Sequence, residues 1–347
     1  MNNKEILEVK ELLSSPKKII ITAHKNPDGD AIGSVKAMKY YLSSKGVKSS
    51  IAIPNNYPEY LLFMDREEEI MVWKNNPGMV EDVIKESDLI LSLDFNQFNR
   101  VDEMEICVRN SEAVKVLIDH HPVPESESFD LVFSDCELSS TCEVLYWLIY
   151  SMEGYPMPDE KRPYLPTEVA SSLYVGLMTD TNNFSNSVVY STFEMASDLL
   201  AHGVDKEKLQ HFVFGGFSEN RMRLMGHLLL NRMVLLPKYG AGYILLSREE
   251  QENFGYTDGD SEGFVNMPLN IKGINISALF TENGNNIRVS LRSVTDFSVN
   301  RLARDFFNGG GHERAAGGKL SIPLDEIPEY FEKSLKNSFE EEMSDEN

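Results

Sequence analysis

Cysteine is scarce in this chain of 347 residues, with only Cys107, Cys136 and Cys142 present. An odd number without a CxxC spacing excludes a disulfide framework and a thiolate zinc site, so they read as ordinary buried or half-buried thiols. Positive charge is also short. Lys and Arg total 33 against 55 Asp and Glu, a formal net charge of −22. That balance opposes broad binding to long nucleic acid through counterion release, so a polyanionic partner has to be short. Long apolar runs are missing as well. No stretch approaches the roughly 18 apolar residues that span a bilayer, and the opening Met1-Asn-Asn-Lys-Glu5 lacks the apolar core of a secretory signal. The expectation is a cytoplasmic protein with no membrane partner. The acidic runs Glu67 to Glu69 and Glu340 to Glu342 read as solvated surface and tail.

The chain is rich in strand, loop and helix units. Its length suits two domains. Ile6, Val9 and Leu13 fall at helical spacing, and Pro16 should end that helix before the buried strand Ile19-Ile20-Ile21. The turn Asn26-Pro27-Asp28-Gly29 follows, and then Ile32, Val35, Met38 and Leu42 recur on one helix face as far as Gly46. Further apolar runs at Ser50 to Ile53, Leu89 to Leu93 and Val114 to Ile118 alternate with helical stretches. This pattern predicts an α/β fold, a parallel sheet with helices on both faces. Ser140-Thr-Cys-Glu143 fits a capping box opening a helix, with either a purely structural or a phosphate-binding role. Residues 151 to 166, polar and holding four prolines, read as a loop before a helix from Thr167 to about Thr179.

From Phe193 to Leu236 the spacing is helical almost throughout, broken at Gly215-Gly216. Beyond it, Gly242 to Leu246 and Ile274 to Phe280 read as strands, and Asn283-Gly284-Asn285-Asn286 as a hairpin turn. Alternation in the next strand puts Arg288, Ser290 and Arg292 on one face. The division expected is an N-terminal domain over 1–200, a helical connector over 201–225 and a smaller α+β domain over 226–347. The tail from Glu340 to Asn347 is expected to be disordered.

Three clusters carry the chemistry: His24 with Asp28 and Asp30, then Asp94, then Asp119-His120-His121, with Asp180 later. Each of the three sits where a predicted strand stops, and in an open parallel sheet ligands bind beyond those carboxyl ends. Carboxylates brought together there repel one another unless strong positive charge lies among them. Divalent cations supply it, and oxygen and imidazole without thiolate suit manganese or magnesium better than structural zinc. A carboxylate between two ions can bridge them, and Asp94 is the candidate. Two such ions can activate water and steady both oxygens during displacement at phosphorus, which points to phosphoester hydrolysis. At the other end, Gly309-Gly310-Gly311-His312 reads as a glycine-rich turn whose N–H groups, with His312, could hold an anion. Arg292 and Arg288 strengthen that reading through guanidinium–phosphate pairing, whereas Arg301 and Arg304 read as surface salt bridges. His202, His211 and His227 read as structural.

These residues resemble the DHH phosphoesterase superfamily, whose name-giving motif stands here as Asp119-His120-His121. The run from His24 to Ser34 is similar to its first motif, Leu93-Asp94-Phe95-Asn96 to its second and Gly176 to Phe184 to its fourth. Gly309 to His312 with Ala315-Ala316-Gly317 resembles the signature of the DHH-associated C-terminal domain. The resemblance implies that His24, Asp28 and Asp94 hold one metal and that Asp30, Asp94, His120 and Asp180 hold the other. It places His121 beside them or near the scissile phosphate. It gives substrate phosphate to Arg292 and His312, with Gly310 and Gly311, across an interdomain cleft hinged at the connector. It also implies a homodimer. Within the superfamily the chain resembles the oligoribonuclease and adenosine 3',5'-bisphosphate phosphatase branch, so a manganese-dependent enzyme acting on short RNA and nucleotide phosphates is expected. The alternatives are an exopolyphosphatase-like enzyme, a cyclic or linear dinucleotide phosphodiesterase and, from another class, a non-catalytic nucleotide-binding protein.

Overall fold

A computed structural model describes residues 2–14, 17–155, 162–257 and 259–345, with the side chains of 341–345 left aside. The chain divides into two compact units, Met1–Gly216 and Phe217–Asn347.

The first unit is built on β1 (Ile19–Thr22), β2 (Ser49–Ile53), β3 (Ile70–Val72), β4 (Leu89–Leu93), β5 (Val114–Asp119) and β6 (Leu131–Ser134). They form one sheet in the order β3-β2-β1-β4-β5-β6, and every pairing is parallel. Successive side chains of a strand point to opposite faces, so these near-continuous apolar strands need cover on both. On one face Ile19, Ile21, Leu89, Leu91, Val116 and Ile118 pack with side chains of α1 (Asn3–Ser14), α2 (Gly29–Ser44), α5 (Thr141–Met152) and α6 (Thr167–Asp180). On the other, Ile20, Ile90 and Leu117 pack with α3 (Pro77–Lys85) and α4 (Glu105–Asn110). Helices α7 (Tyr190–Ala201) and α8 (Lys206–Phe214) complete the unit. The chain leaves β1 towards β2 and later returns to β4 on β1's other side. The crevice above β1 and β4 is therefore the switch point where open α/β sheets hold their ligands.

Helices α2 and α6 cross closely because glycines face each other there. A Cβ on Gly33 would lie 2.7 Å from the Ser172 carbonyl oxygen and 2.9 Å from the Gly176 nitrogen.

The second unit contains α9 (Glu219–Asn231), β7 (Met233–Leu236), β8 (Ala241–Leu246), α10 (Arg248–Asn253), β9 (Ile276–Asn283), β10 (Asn286–Ser293), α11 (Val299–Phe306), β11 (Gly310–His312), β12 (Ala315–Leu320) and α12 (Ile327–Asp345). Its mixed sheet runs β11-β12-β10-β9-β8-β7. The β9–β10 hairpin turns on Gly284 and Asn285 between the paired Asn283 and Asn286, with Gly284 at φ +62°. Ile287, Val289 and Leu291 of β10 enter the core with Phe280, Phe307 and Phe331, while Arg288, Ser290 and Arg292 lie on the opposite face.

Several expectations need correction. Met233–Leu236 is a strand paired with β8, so the helical run from Phe193 ends at Asn231, with a further break at His202-Gly203. A short apolar run does not by itself distinguish helix from strand, and here a partner strand decides. Helix α12 runs to Asp345 and is anchored through Ile327, Phe331 and Leu335; residues 346 and 347 of the tail expected to be disordered lie outside the described residues. Pro16 and residues 156–161 of the predicted loop also lie outside them, and Ser151 and Met152 belong to α5. Among the described residues no helix is long and apolar enough to cross a membrane.

Candidate metal centre

His24, Asp94, His120 and His121 stand just beyond the ends of buried strands, Asp119 closes one, Asp30 lies in the first turn of α2 and Asp180 ends α6. His24 follows β1, and its Nδ1 donates to the Lys25 carbonyl at 2.8 Å. That bond fixes the ring so that Nε2 is the nitrogen presented to the carboxylates. Nε2 lies 3.3 Å from Asp94 Oδ2 and 4.0 Å from Asp28 Oδ1. Asp28 caps α2, accepting from the backbone N–H of Asp30 and of Ala31 at 3.0 and 3.1 Å. Asp94 follows β4 with a left-handed backbone, φ +63°, and its N–H reaches across to the Ile118 carbonyl at 3.1 Å. Asp119 closes β5, and His120 and His121 come next.

Asp94 lies at the middle. Its Oδ1 is 3.9 Å from His120 Nε2 and 3.7 Å from His121 Nδ1, while Oδ2 faces His24. Asp180, at the end of α6, reaches His120 Nε2 at 3.5 Å. Asp119, fully buried, accepts from the His121 ring and from its backbone N–H, at 2.8 and 3.1 Å. Among the described residues of the first unit, three sets drawn wholly from that unit have ligand atoms within 4.8 Å of one another: His24, Asp28 and Asp94; Asp30, Asp94 and His120; Asp94, Asp119 and His121. Asp94 is common to all three.

Asp30 is almost wholly buried, and its partners come from far along the chain. The first N–H groups of α5, on Thr141 and Cys142, donate to its two carboxylate oxygens at 2.6 and 2.9 Å. Of the two roles left open for this helix start, the geometry supports the structural one. The unpaired N–H groups and positive dipole end of α5 already serve an anion, the carboxylate of Asp30. Ser140 does cap the helix, accepting from Glu143 N–H at 3.1 Å, but the returning half of the box goes to Ser139 N–H at 3.0 Å. Thr141 Oγ1 donates to Asp94 Oδ1 at 2.9 Å. Gly176 gives Asp30 its room, since a Cβ there would lie 2.6 Å from Asp30 Oδ1. Asp119, Thr141 and Cys142 were not singled out as site residues by sequence. Asp119 was visible in its motif, and only the helix-start pattern at Ser140 hinted at the other two.

The electrostatics explain what this grouping needs. Burial foremost, and then Asp94 and Asp180, push the Asp30 carboxyl well above its ordinary range. For Asp94 burial is the strongest influence and acts upwards, yet His24, His121 and His120 together hold it below the usual range. Burial also opposes a proton on His120, but Asp180, Asp30 and Asp94 prevail and raise it to about 9. Protons are thus drawn to positions where a cation would lie. Hard oxygen and imidazole nitrogen make up the donor set. Burial keeps the nearby Cys142 thiol well above its normal range, hence protonated, with Sγ–H directed at the Asp30 carbonyl. The residues present fit divalent cations.

Arg292, Gly310, Gly311 and His312 belong to the second unit. Arg292 on β10 and His312 on β11 both pair with Ala315 on β12, so the two side chains flank a small one on the same sheet face. Gly310 and Gly311 do not form the expected turn but belong to an edge strand that begins just after Gly309. Gly311 has φ +152°, and a Cβ on it would lie 2.6 Å from the Ala315 carbonyl oxygen. The strand pairing therefore demands glycine for closeness. Gly311 N–H donates to Asn300 Oδ1 at 3.0 Å. Elsewhere, His202 Nδ1 lies 2.9 Å from the Asp198 carbonyl oxygen and His227 Nε2 lies 2.8 Å from Glu250.

The parallel sheet with acidic and imidazole clusters at its switch point agrees with what known proteins of this build show. Residues 18–177 match the DHH family, N-terminal domain, and residues 239–337 match the DHHA1 domain. The chain belongs to the DHH family and is a phosphoesterase, a hydrolase. An exopolyphosphatase-related protein from Bacteroides fragilis, of known crystal structure, is 38% identical, with a TM-score of 0.89 over 97% of this chain and 96% of that one. The bifunctional oligoribonuclease and PAP phosphatase NrnA of Bacillus subtilis is 29% identical, over 87% of this chain and 89% of its own. RecJ from Thermus thermophilus, crystallised in complex with Mn2+, shares the fold at 16% identity and a TM-score of 0.54, over 97% of this chain and 54% of RecJ.

Proposed function

We propose that this protein is a manganese-dependent phosphodiesterase and phosphatase of the cytoplasm that hydrolyses short oligoribonucleotides and adenosine 3',5'-bisphosphate. The observation that carries the reading is the sharing of Asp94 by overlapping ligand sets at the sheet's switch point. In this reading His24, Asp28 and Asp94 hold one cation, and Asp30, Asp94, His120 and Asp180 hold the other. Manganese is favoured, with magnesium the other candidate. Two such cations, when bound, lower the pKa of water and offset charge on phosphoryl oxygens.

The chain's own residues do the rest. Asp94 joins the two halves of the centre and orders its carboxylate between His24 and the histidine pair. Asp119 accepts a hydrogen bond from Nδ1–H of His121, so Nε2 is the nitrogen that exchanges a proton at the phosphoester oxygen. Arg292 and His312, side by side across Ala315 and adjoined by Gly310 and Gly311, bind a substrate phosphate; a planar guanidinium suits its paired oxygens. Residues 1–200 serve as the metal-binding domain, 201–225 as the connector and 226–347 as the substrate-binding domain, and the working form is a homodimer. The activity for which the Bacillus subtilis relative is named and the chain's formal charge of −22, which disfavours long polyanions, support short substrates. Polyphosphate is the second reading, favoured by the likeness to the exopolyphosphatase-related protein.

The test is a substrate panel on chelator-treated protein resupplied with manganese or with magnesium. It would hold di- and trinucleotides, longer RNA, adenosine 3',5'-bisphosphate, cyclic dinucleotides and polyphosphate. Fastest turnover is expected on the short RNAs and the bisphosphate with manganese. Turnover confined to polyphosphate would replace this reading with the second, and ligand binding without turnover of anything would make the protein a nucleotide sensor.

A further inference from the structure

We propose that Thr141 is a positioning residue that sets Asp94 and Asp30 as a pair for two cations; the inference rests on the two-cation reading above and deepens it. Thr141 is fully buried and touches both carboxylates at once. Its hydroxyl donates to Asp94 Oδ1 at 2.9 Å, and its backbone N–H donates to Asp30 Oδ2 at 2.6 Å. A carboxylate that serves two ions has to turn one oxygen to each. The Thr141 hydroxyl occupies one lone pair of Oδ1 and fixes the roll of the carboxylate plane. Oδ2 is then left with His24, 3.3 Å away, and Oδ1 stays on the side of His120 and His121. The same residue draws Asp30 to that side through the backbone. Without it, two buried carboxylates would have to find their geometry only when the ions arrive.

Thr141 is itself held from behind. Glu143, fully buried, accepts from Ser139 N–H and Oγ, from Ser191 Oγ and from Thr192 Oγ1. All four donors are hydroxyl or backbone groups, and they join the loop before α5 to the first turn of α7. Ser140 caps the helix between them. The Ser140-Thr-Cys-Glu143 segment is thus a bracket: Glu143 anchors it, and Thr141 meets the ligands. Loss of an outer partner of a metal-ligating group costs about 10- to 100-fold in metal affinity.

The experiment compares the parent chain with Thr141→Val, which keeps shape and backbone N–H but loses the hydroxyl, and with Thr141→Ser, which keeps it. Manganese binding is read by titration calorimetry, and coupling between two bound ions by electron paramagnetic resonance. Thr141→Val is expected to bind manganese about 10- to 100-fold more weakly and to lose the spin-coupled signal, with kcat reduced and KM little changed. Thr141→Ser should regain the coupled signal. If Thr141→Val does not fold, Thr141→Ala against Thr141→Ser makes the same comparison. A Val or Ala variant with the parent's stoichiometry, affinity and coupled signal overturns the positioning role alone. A parent chain that never binds two ions overturns the two-cation reading, and this inference with it.

Discussion

The two units of this chain handle charge in opposite ways. In the first, His24, Asp94, Asp119 and His120 are buried at the ends of parallel strands, and Asp30 is buried in the first turn of α2. In the second, Arg292 and His312 are only half-buried, on the open face of strands paired antiparallel. Sheet type accounts for the contrast. A parallel sheet is covered on both faces, which leaves its strand ends as the place where loops can meet, and loops meeting there are drawn into the protein. An antiparallel strand can spend one face on the core and leave the other partly wet, and β10 does so residue by residue, although on β9 beside it Leu279 of that same face is packed under α9. Hard cations are held best by donors already fixed and dry, because loose carboxylates would repel each other before the ion came. A polyanion is met well enough by cations that keep some water.

The contrast can be broken by experiment. The largest effect is expected from Asp94→Ala, which removes the carboxylate common to the ligand sets: manganese binding and hydrolysis of a dinucleotide should fall by well over the roughly 100-fold seen when a mere outer partner is lost. Hydrolysis equal to that of the parent would show that the buried acids do not form the centre. Next comes Arg292→Ala. Its effect should fall on KM, raised about 10- to 100-fold for loss of a charge-assisted hydrogen bond, with manganese affinity unchanged. An unaltered KM would remove Arg292 from the substrate contacts and leave the second unit's open face without a role.

The smallest effect concerns stability and sharpens the electrostatic half of the comparison. His120 has a folded-state pKa raised to about 9 from 6.5. A raised histidine stabilises the fold fully below its unfolded pKa, and the contribution is lost as pH rises through the folded value. Asp30, also raised, works in the same direction above its ordinary range, because the folded state holds a proton the unfolded chain has shed. The melting temperature of chelated protein should therefore decline from about pH 6.5 to about pH 9, and manganese should flatten that decline. A chelated protein whose melting temperature is constant across the window would contradict the protonation assigned to His120.

Much of the first unit could be read from sequence because its signals are local. Runs such as Ile19 to Ile21 and Leu89 to Leu93 mark buried strands, and a His or Asp just beyond each falls at a strand end whatever the rest of the chain does. What closes around Asp30 could not be read this way, since Thr141 and Cys142 lie more than a hundred residues away and act through backbone N–H groups, which carry no residue code. The helix start was legible, with a structural and a phosphate-binding role both open, and only the fold shows that it serves the carboxylate of Asp30. The glycines at 309 to 311 failed for another reason. Glycine suits both a free turn and a tight strand pairing, and only the neighbouring carbonyls of Ala315 and Gly317 tell which. Met233–Leu236 was lost to the helices before it because apolar spacing over four residues fits either element.

One feature reaches beyond mechanism. Asp94 adopts a left-handed backbone at φ +63°, a conformation that costs a non-glycine residue about 1 kcal/mol or more. The position that the proposed chemistry could least do without is therefore also one where the chain is under tension. A glycine there would ease the backbone but take this carboxylate away from His24, His120 and the Thr141 hydroxyl, so the tension persists because the buried partners of Asp94 outweigh it.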